Sequence, residues 1–276
     1  MVEVRAKKSL GQHFLTDQKV ASDIVDALSP AAADALVDER GVFQALEVGP
    51  GTGVLTRYLF GRDDVDLKLV ELDPESVEYL LTHFPGMQGR LYQADFLRLD
   101  IARLFRDKFA VIGNFPYNIS SQIFFKILDH KDRVPLVVGM VQKEVAQRIA
   151  EPPGTKTYGI LSVLLQAWYD IEYLFTVAPG CFLPPPKVQS AVIRLRRNGR
   201  VSLGCDEALF RKVVKTSFGQ RRKTLRNSLL PLIREKVERE GMDEEAAASF
   251  KADPVFDLRP ERLSVEDFIA LTLKLS

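Results

Sequence analysis

The chain has 276 residues, with 38 Lys and Arg set against 37 Asp and Glu for a formal net charge of +1. This length can bury a large core and hold one large domain, or a large and a small one. A charge this close to zero means that affinity for nucleic acid has to come from local clustering. Cys181 and Cys205 lack metal-ligand spacing, which argues against a disulfide framework or a metal site and favours a reducing, cytoplasmic setting. Residues 1–10 are basic but lack the apolar centre of a signal peptide. The longest apolar run, 136–141, is far too short to span a bilayer, so no membrane partner is expected.

Thr16 and Asp17 offer an N-cap to a first helix marked by Val20, Ile24 and Leu28. Residues 44–48 read as a strand and 54–60 as a helix stopped by Gly61. A second strand is expected at 67–72, with Pro74 at the first position of the next helix. Strands at 90–93, 109–112 and 136–141 continue the alternation, with a helix capped by Ser120 or Ser121 before the last of them. This βαβα rhythm predicts an α/β fold, an open and largely parallel sheet with helices on both faces. Two later runs, 171–177 and 190–195, would close it as an antiparallel pair. Composition changes at Asn198-Gly199-Arg200, and beyond it helices are expected at 205–218, 224–240, 243–250 and 265–275. The expected domains are therefore 1–198 and a small all-helical 199–276.

The first strand runs into Glu47-Val48-Gly49-Pro50-Gly51-Thr52-Gly53. A glycine turn between strand and helix lets the backbone and the helix's positive end approach a ligand closely. Val54 stands where a dinucleotide fingerprint carries its third glycine, which weakens a nicotinamide reading. Glu71 lies near the end of the next strand, where a carboxylate can bind ribose hydroxyls. Asp95 ends the strand after that and can accept from an adenine amine. Three strand ends thus point at an adenosine without phosphate, and S-adenosylmethionine fits them better than NAD. The bland alternative is a tight turn beside two solvated acids.

Asn114-Phe115-Pro116-Tyr117 follows the apolar run 109–112. The Asn114 amide oxygen and the Pro116 carbonyl can accept both protons of an exocyclic amine, and the Tyr117 ring can stack on its base. With the glycine turn upstream, this reads as amino methylation of a nucleobase. Residues 211–226 hold Arg211, Lys212, Lys215, Arg221, Arg222, Lys223 and Arg226 without an acid, whereas 235–245 are acidic. Such asymmetry in a neutral chain suggests a phosphate-binding surface, although a solvated helix face is the ordinary source of a charge run. Arg5, Lys7 and Lys8 read either as a flexible basic arm or as an uninvolved terminus. His83, His130 and Trp168 are read as structural.

The motifs together resemble the small-subunit (16S) ribosomal RNA adenine dimethyltransferases linked to kasugamycin sensitivity. The resemblance spans essentially the whole chain. It rests on Leu10-Gly11-Gln12-His13-Phe14-Leu15, the Gly49 turn, Val70-Glu71-Leu72-Asp73 and Gly113-Asn114-Phe115-Pro116-Tyr117-Asn118-Ile119-Ser120. Further support comes from Gln142-Lys143-Glu144-Val145, Phe182-Leu183-Pro184-Pro185-Pro186-Lys187-Val188 and Arg221-Arg222-Lys223-Thr224-Leu225-Arg226-Asn227. It implies a Rossmann-like methyltransferase with a mostly parallel seven-stranded sheet plus a small all-helical C-terminal domain. It also implies dimethylation at N6 of two adjacent adenosines in the 3'-terminal hairpin of 16S rRNA, within an immature small ribosomal subunit. S-adenosylmethionine is the implied donor, S-adenosylhomocysteine the product, and no metal is needed. His13, Leu15, Gly49, Gly51, Glu71, Asp95 and Asn114 would hold the donor. Asn114, Pro116, Tyr117 and Phe182 would serve the target base, Phe182 by stacking on the face opposite Tyr117. The seven basic residues of 211–226 would bind RNA, and the enzyme would act as a monomer. The family usually has leucine in place of Phe115 and often asparagine in place of His13.

Two other readings stay open at this level. One is a 23S rRNA adenine methyltransferase of the antibiotic-resistance type, against which the Pro184-Pro185-Pro186-Lys187 and Arg221-Arg222-Lys223-Thr224 runs argue. The other is a non-enzymatic ribosome assembly factor on the same fold, against which intact Glu71, Asp95, Asn114 and Tyr117 argue.

Overall fold

The computed structural model describes residues 4–29, 36–37 and 41–276, which fall into two compact units. The first, Met1–Ala146 with Tyr169–Asn198, is built on a sheet. Its opening elements are a two-residue strand β1 (Phe14–Leu15) and helix α1 (Gln18–Ala27). The Asp17 carboxylate caps α1 by accepting from the Val20 amide at 3.0 Å, while Ala21, Ile24 and Val25 turn into the core. Strand β2 (Phe43–Val48), helix α2 (Thr56–Phe60), strand β3 (Val65–Glu71) and helix α3 (Pro74–His83) follow. Pro74 sits in the first turn of α3, where its missing N–H costs nothing, and Asp73 supplies the cap.

The alternation continues through β4 (Leu91–Gln93), β5 (Ala110–Asn114), α4 (Ser120–Asp129) and β6 (Leu136–Gln142). Neither serine caps α4. Ile119 occupies the cap position, and Ser120, already helical, turns its hydroxyl back to the Tyr117 carbonyl at 3.3 Å. Helices α5 (Lys143–Ala150) and α6 (Ile160–Gln166) precede β7 (Tyr169–Val177), the short β8 (Phe182–Leu183) and β9 (Ser190–Arg197). The seven-stranded sheet has the order β4-β3-β2-β5-β6-β9-β7. Its first five strands are parallel, and β9 and β7 close it antiparallel. Central β5 and β6 are buried on both faces, with Val111, Ile112, Val137 and Val138 fully inaccessible. Each such side chain contributes roughly 1.5–3 kcal/mol relative to exposure. Strand β1 pairs antiparallel with β8 in a separate two-stranded sheet.

The second unit is helical and joins Gln147–Trp168 to Gly199–Ser276. It holds α6, α7 (Glu207–Gly219), α8 (Leu225–Ser228), α9 (Leu230–Arg239), α10 (Glu244–Lys251) and α11 (Val265–Leu275). The helix expected over 224–240 is two helices, because the chain breaks at Leu229 and restarts with Pro231 in the first turn of α9. The boundary also differs from a single cut at residue 198, since 147–168 belong with the helices. Ser162 donates to the Arg148 carbonyl at 2.5 Å, the Gly154 amide to the Glu261 carbonyl at 2.7 Å, and Tyr158 meets Phe218 edge to face at 6.2 Å. Among the described residues no helix is long and apolar enough to cross a membrane.

Candidate active site

A cavity of about 210 Å³ opens beyond the carboxyl ends of β2, β3, β4 and β5, where open α/β sheets bind ligands. Its walls come from 10–15, the glycine turn, the end of β3, the loop after β4 and the loop 114–119, all in the sheet unit. His13, Leu15, Gly49, Gly51, Glu71, Asp95, Asn114, Pro116 and Tyr117 all line it.

The glycine turn owes its shape to backbone freedom at two positions above all. Gly51 lies at φ +56°, and a Cβ there would stand 2.9 Å from the Phe14 ring. Gly53 lies at φ +77°, with Phe84 2.6 Å from where a Cβ would be. The three glycine amides of this turn are already engaged: Gly49 donates to Val70 carbonyl, Gly51 to Glu71 Oε2 and Gly53 to Pro50 carbonyl, at 2.8–3.0 Å. This arrangement does not make a phosphate cradle. Three acids, Glu47, Glu71 and Asp95, line the cavity, and no Lys or Arg does. Such walls offer no basic side chain to a phosphate group.

Glu71 is 5% exposed, and burial raises its pKa, opposed by the amides of Asp73 and Gly51. Its Oε1 accepts from the Asp73 amide at 2.9 Å and its Oε2 from Gly51 at 3.0 Å. A carboxylate offers about four acceptor sites, so each oxygen keeps one for a pair of hydroxyls. Glu47, missed as a site residue by the sequence reading, is 1% exposed and bonded to the Thr56 hydroxyl at 2.8 Å. Burial pushes its carboxyl up to about 8, with the nearby Glu71 charge adding to the shift. Asp95 accepts from the Leu97 amide at 2.9 Å through Oδ1.

On the opposite wall, the Asn114 side-chain NH2 donates to the His13 carbonyl at 2.9 Å. The amide oxygen is thereby the end left for an incoming donor. The Pro116 carbonyl accepts from the Ile119 amide at 3.2 Å and keeps its second lone pair. The Tyr117 ring stacks on His13 with centroids 5.4 Å apart, and its hydroxyl meets Ser190 Oγ at 2.5 Å. Burial raises the Tyr117 pKa, so the phenol stays neutral. Phe115 is fully buried, edge-on to Phe124 at 5.8 Å, with its ring over Gly113 and Gly139 of adjacent strands.

Phe182 does not join this group. It is 3% exposed and packs in the core beside Leu15, its partner across β1 and β8, while Leu183 is 65% exposed. Successive strand residues face opposite ways, so only one of the two can point outward. The basic residues of 211–226 also divide. Lys212, Lys215, Arg222 and Lys223 are all exposed. Lys212 pairs with Glu235 at 2.9 Å, Arg221 donates to the Thr155 carbonyl at 3.3 Å, and Arg226 clamps Asp257 at 2.6 Å and the Lys251 carbonyl. Arg211 is half-buried. Lys7 is no free basic arm: it is paired with Asp73 at 2.5 Å and Glu75 at 3.0 Å. Among the described residues no group of three or more His, Cys, Asp or Glu could hold a metal ion.

The sheet order, the glycine turn and the acidic cavity define a Rossmann-like methyltransferase. The sequence profile of the family described as Ribosomal RNA adenine dimethylase matches residues 3–252, and the chain belongs to that family. It is similar to proteins named Ribosomal RNA small subunit methyltransferase A. That of Parabacteroides distasonis is 56% identical over 98% of this chain and 94% of the relative. That of Cytophaga hutchinsonii is 52% identical over 100% and 99%. Two solved structures share the fold. A dimethyladenosine transferase from Plasmodium falciparum has TM-score 0.73 and 21% identity, covering 95% of this chain and 96% of that one. The 23S rRNA methyltransferase ErmE has TM-score 0.61 and 24% identity, covering 95% and 99%.

Proposed function

We propose that this chain transfers methyl groups from S-adenosylmethionine to N6 of two adjacent adenosines in the 3'-terminal hairpin of 16S rRNA, during late assembly of the small subunit in the cytoplasm. The observation that carries the reading is Asn114, held by the His13 carbonyl in the same cavity as the Glu71 carboxylate. Full-length similarity to small-subunit methyltransferases supports the choice of RNA. In this reading the enzyme acts as a monomer.

The donor, when bound, supplies an electrophilic methyl on a sulfonium. In this reading Glu71 binds the ribose hydroxyls and Asp95 the adenine amine, and the lack of any Lys or Arg in the walls leaves the sulfonium unopposed. The N6 nitrogen of the target is a poor nucleophile because its lone pair is delocalised into the ring. Hydrogen bonds from its two N–H groups to Asn114 Oδ1 and the Pro116 carbonyl favour a pyramidal nitrogen and free that lone pair, and the proton that the methylated nitrogen sheds would pass to water. Holding it in line with the methyl contributes much of the acceleration. The target has to leave its stack, at a cost on the order of a few kcal/mol. Stacking on Tyr117 recovers roughly 1–3 kcal/mol. In the helical unit, exposed Lys215, Arg222 and Lys223 suit phosphate contacts, which position RNA without reading its sequence.

The test uses radiolabelled S-adenosylmethionine with unmethylated small subunits and, in parallel, large subunits, followed by mass spectrometry of the modified nucleotides. Two N6,N6-dimethyladenosines in the terminal hairpin are expected. Label in large-subunit RNA alone, or tight subunit binding without label, would overturn the reading.

A further inference from the structure

The segment between Lys7 and Leu15 is tied both to the residues after β3 and to the residues at the end of β5. At one end Lys7 Nζ bridges Asp73 Oδ1 at 2.5 Å and Glu75 Oε1 at 3.0 Å. The Lys7 amide donates to Gln12 Oε1 at 2.8 Å, and Gln12 Nε2 reaches Asp73 Oδ2 at 3.4 Å. Asp73 is 1% exposed, and its own amide donates to Glu71. At the other end Gly11 lies at φ +64° against Asn118, where a Cβ would stand 2.7 Å from Oδ1. Two residues on, the His13 carbonyl accepts from Asn114 Nδ2 at 2.9 Å. A continuous set of bonds therefore links the acid at the end of β3 to the amide at the end of β5.

An asparagine side chain presents either its oxygen or its NH2 to a ligand, and only the oxygen can accept an amine proton. The choice at Asn114 is made by a carbonyl on a segment with little regular structure of its own: one 3-10 turn at Lys8–Leu10 and the two residues of β1. On its C-terminal side that carbonyl is steadied by the His13 ring, which donates to the Pro184 carbonyl at 2.8 Å and stacks on Tyr117, and by the pairing of β1 with β8; on its N-terminal side the anchor is Lys7. We infer that Lys7 is a positioning residue for methyl transfer: by anchoring this segment to Asp73 and Glu75, it keeps the His13 carbonyl against Asn114 and the Asn114 oxygen turned to the acceptor. The inference rests on the function proposed above. It makes the donor wall and the acceptor amide one mechanical unit, so that loosening the anchor affects transfer more than donor binding.

The experiment compares the full-length chain with Lys7→Met and Lys7→Arg. Single-turnover transfer to unmethylated small subunits is measured at saturating donor, with the donor Kd from calorimetry and the ratio of mono- to dimethyladenosine. The chain has only four asparagines, so a spectrum of protein labelled with 15N-asparagine resolves the Asn114 NH2, assigned with Asn114→Ala. For Lys7→Met we expect a transfer rate lowered at least tenfold and a raised share of monomethyl product. The donor Kd should change less than threefold, and the Asn114 NH2 signals should move toward solvent-exposed positions. Lys7→Arg, which can bridge the same two carboxylates, should return the rate and the signals to near those of the parent. An unmoved Asn114 signal, or a donor Kd weakened as much as the rate, would overturn the inference while leaving the proposed function intact. Absence of transfer by the unaltered chain would instead refute the function and the inference together.

Discussion

The Phe115 ring occupies the space that a side chain on Gly139 would need. A Cβ there would lie 2.5 Å from Phe115 Cε2, and Gly113, opposite Gly139 on the neighbouring strand, is crowded by the same ring. The glycine pair thus makes room for the Phe115 ring. Overpacking a rigid core costs about 1–3 kcal/mol. Gly139→Ala should lower stability by that order, and Phe115→Leu on the same background should restore most of it. Urea unfolding of the two single variants and the double variant checks this; additive losses would mean that the two residues do not share the space.

Asn114→Ala removes the acceptor without emptying the donor wall. Transfer should fall by about 100-fold or more, by analogy with loss of one oriented hydrogen-bonding group in other active sites. Donor binding should weaken far less, since Glu71 and Asp95 remain. Single-turnover rates and calorimetry measure the two separately, and near-normal turnover would sink the proposed chemistry.

Glu47 gives the fold a signature in pH. Its folded value of about 8 lies above the ordinary 4.5, so the folded chain holds a proton that the unfolded chain releases. The associated stability is complete below about pH 4.5 and is lost as pH rises through about 8. Glu47→Gln keeps the shape without the proton. It should match the parent near pH 4 and exceed it at pH 9 by on the order of a few kcal/mol. Urea midpoints across pH test this, and parallel curves for the two proteins would refute it. Glu71 shifts in the same direction, so some slope should persist in the variant.

Arg222 and Arg226 should respond differently although they are four residues apart. Exposed Arg222 suits a phosphate contact: its loss to alanine should weaken RNA binding and flatten the salt slope by about 0.7–0.9. Arg226 clamps Asp257 and the Lys251 carbonyl, so Arg226→Ala should lower the Tm and change the salt slope little. RNA titrations at several salt concentrations, with melting curves, distinguish the two.

Phe182→Ala should behave as a core deletion, costing about 3–5 kcal/mol of stability. A variant of unchanged stability with an altered ratio of methylated products would return Phe182 to the target base.

Much of this architecture is legible in the residues, for reasons that also explain the failures. Strands β5 and β6 announce themselves because strands buried on both faces are apolar without interruption. Glu71 and Asp95 are legible because a strand end fixes where an acid must sit. Helix α6 is not, since an almost wholly apolar run from Ile160 to Leu165 has no polar face to reveal its period. The pairing of β1 with β8 is equally hidden: two residues carry no pattern, and the partner lies far along the chain. For the same reason the sequence cannot say which of Phe182 and Leu183 turns inward. Lys7 looks like one of several terminal cations until Asp73 is placed beside it.

The division of the chain has a consequence for its synthesis. Strand β6 keeps an open edge and β7 has no partner until β9, the last strand, has been made. Residues 147–168 leave the ribosome before that, with Tyr158, Val163 and Leu165 still waiting for helices beyond residue 199. The helical half is begun before the sheet is complete and finished after it. Neither half is one continuous stretch of chain, so no single cut separates them.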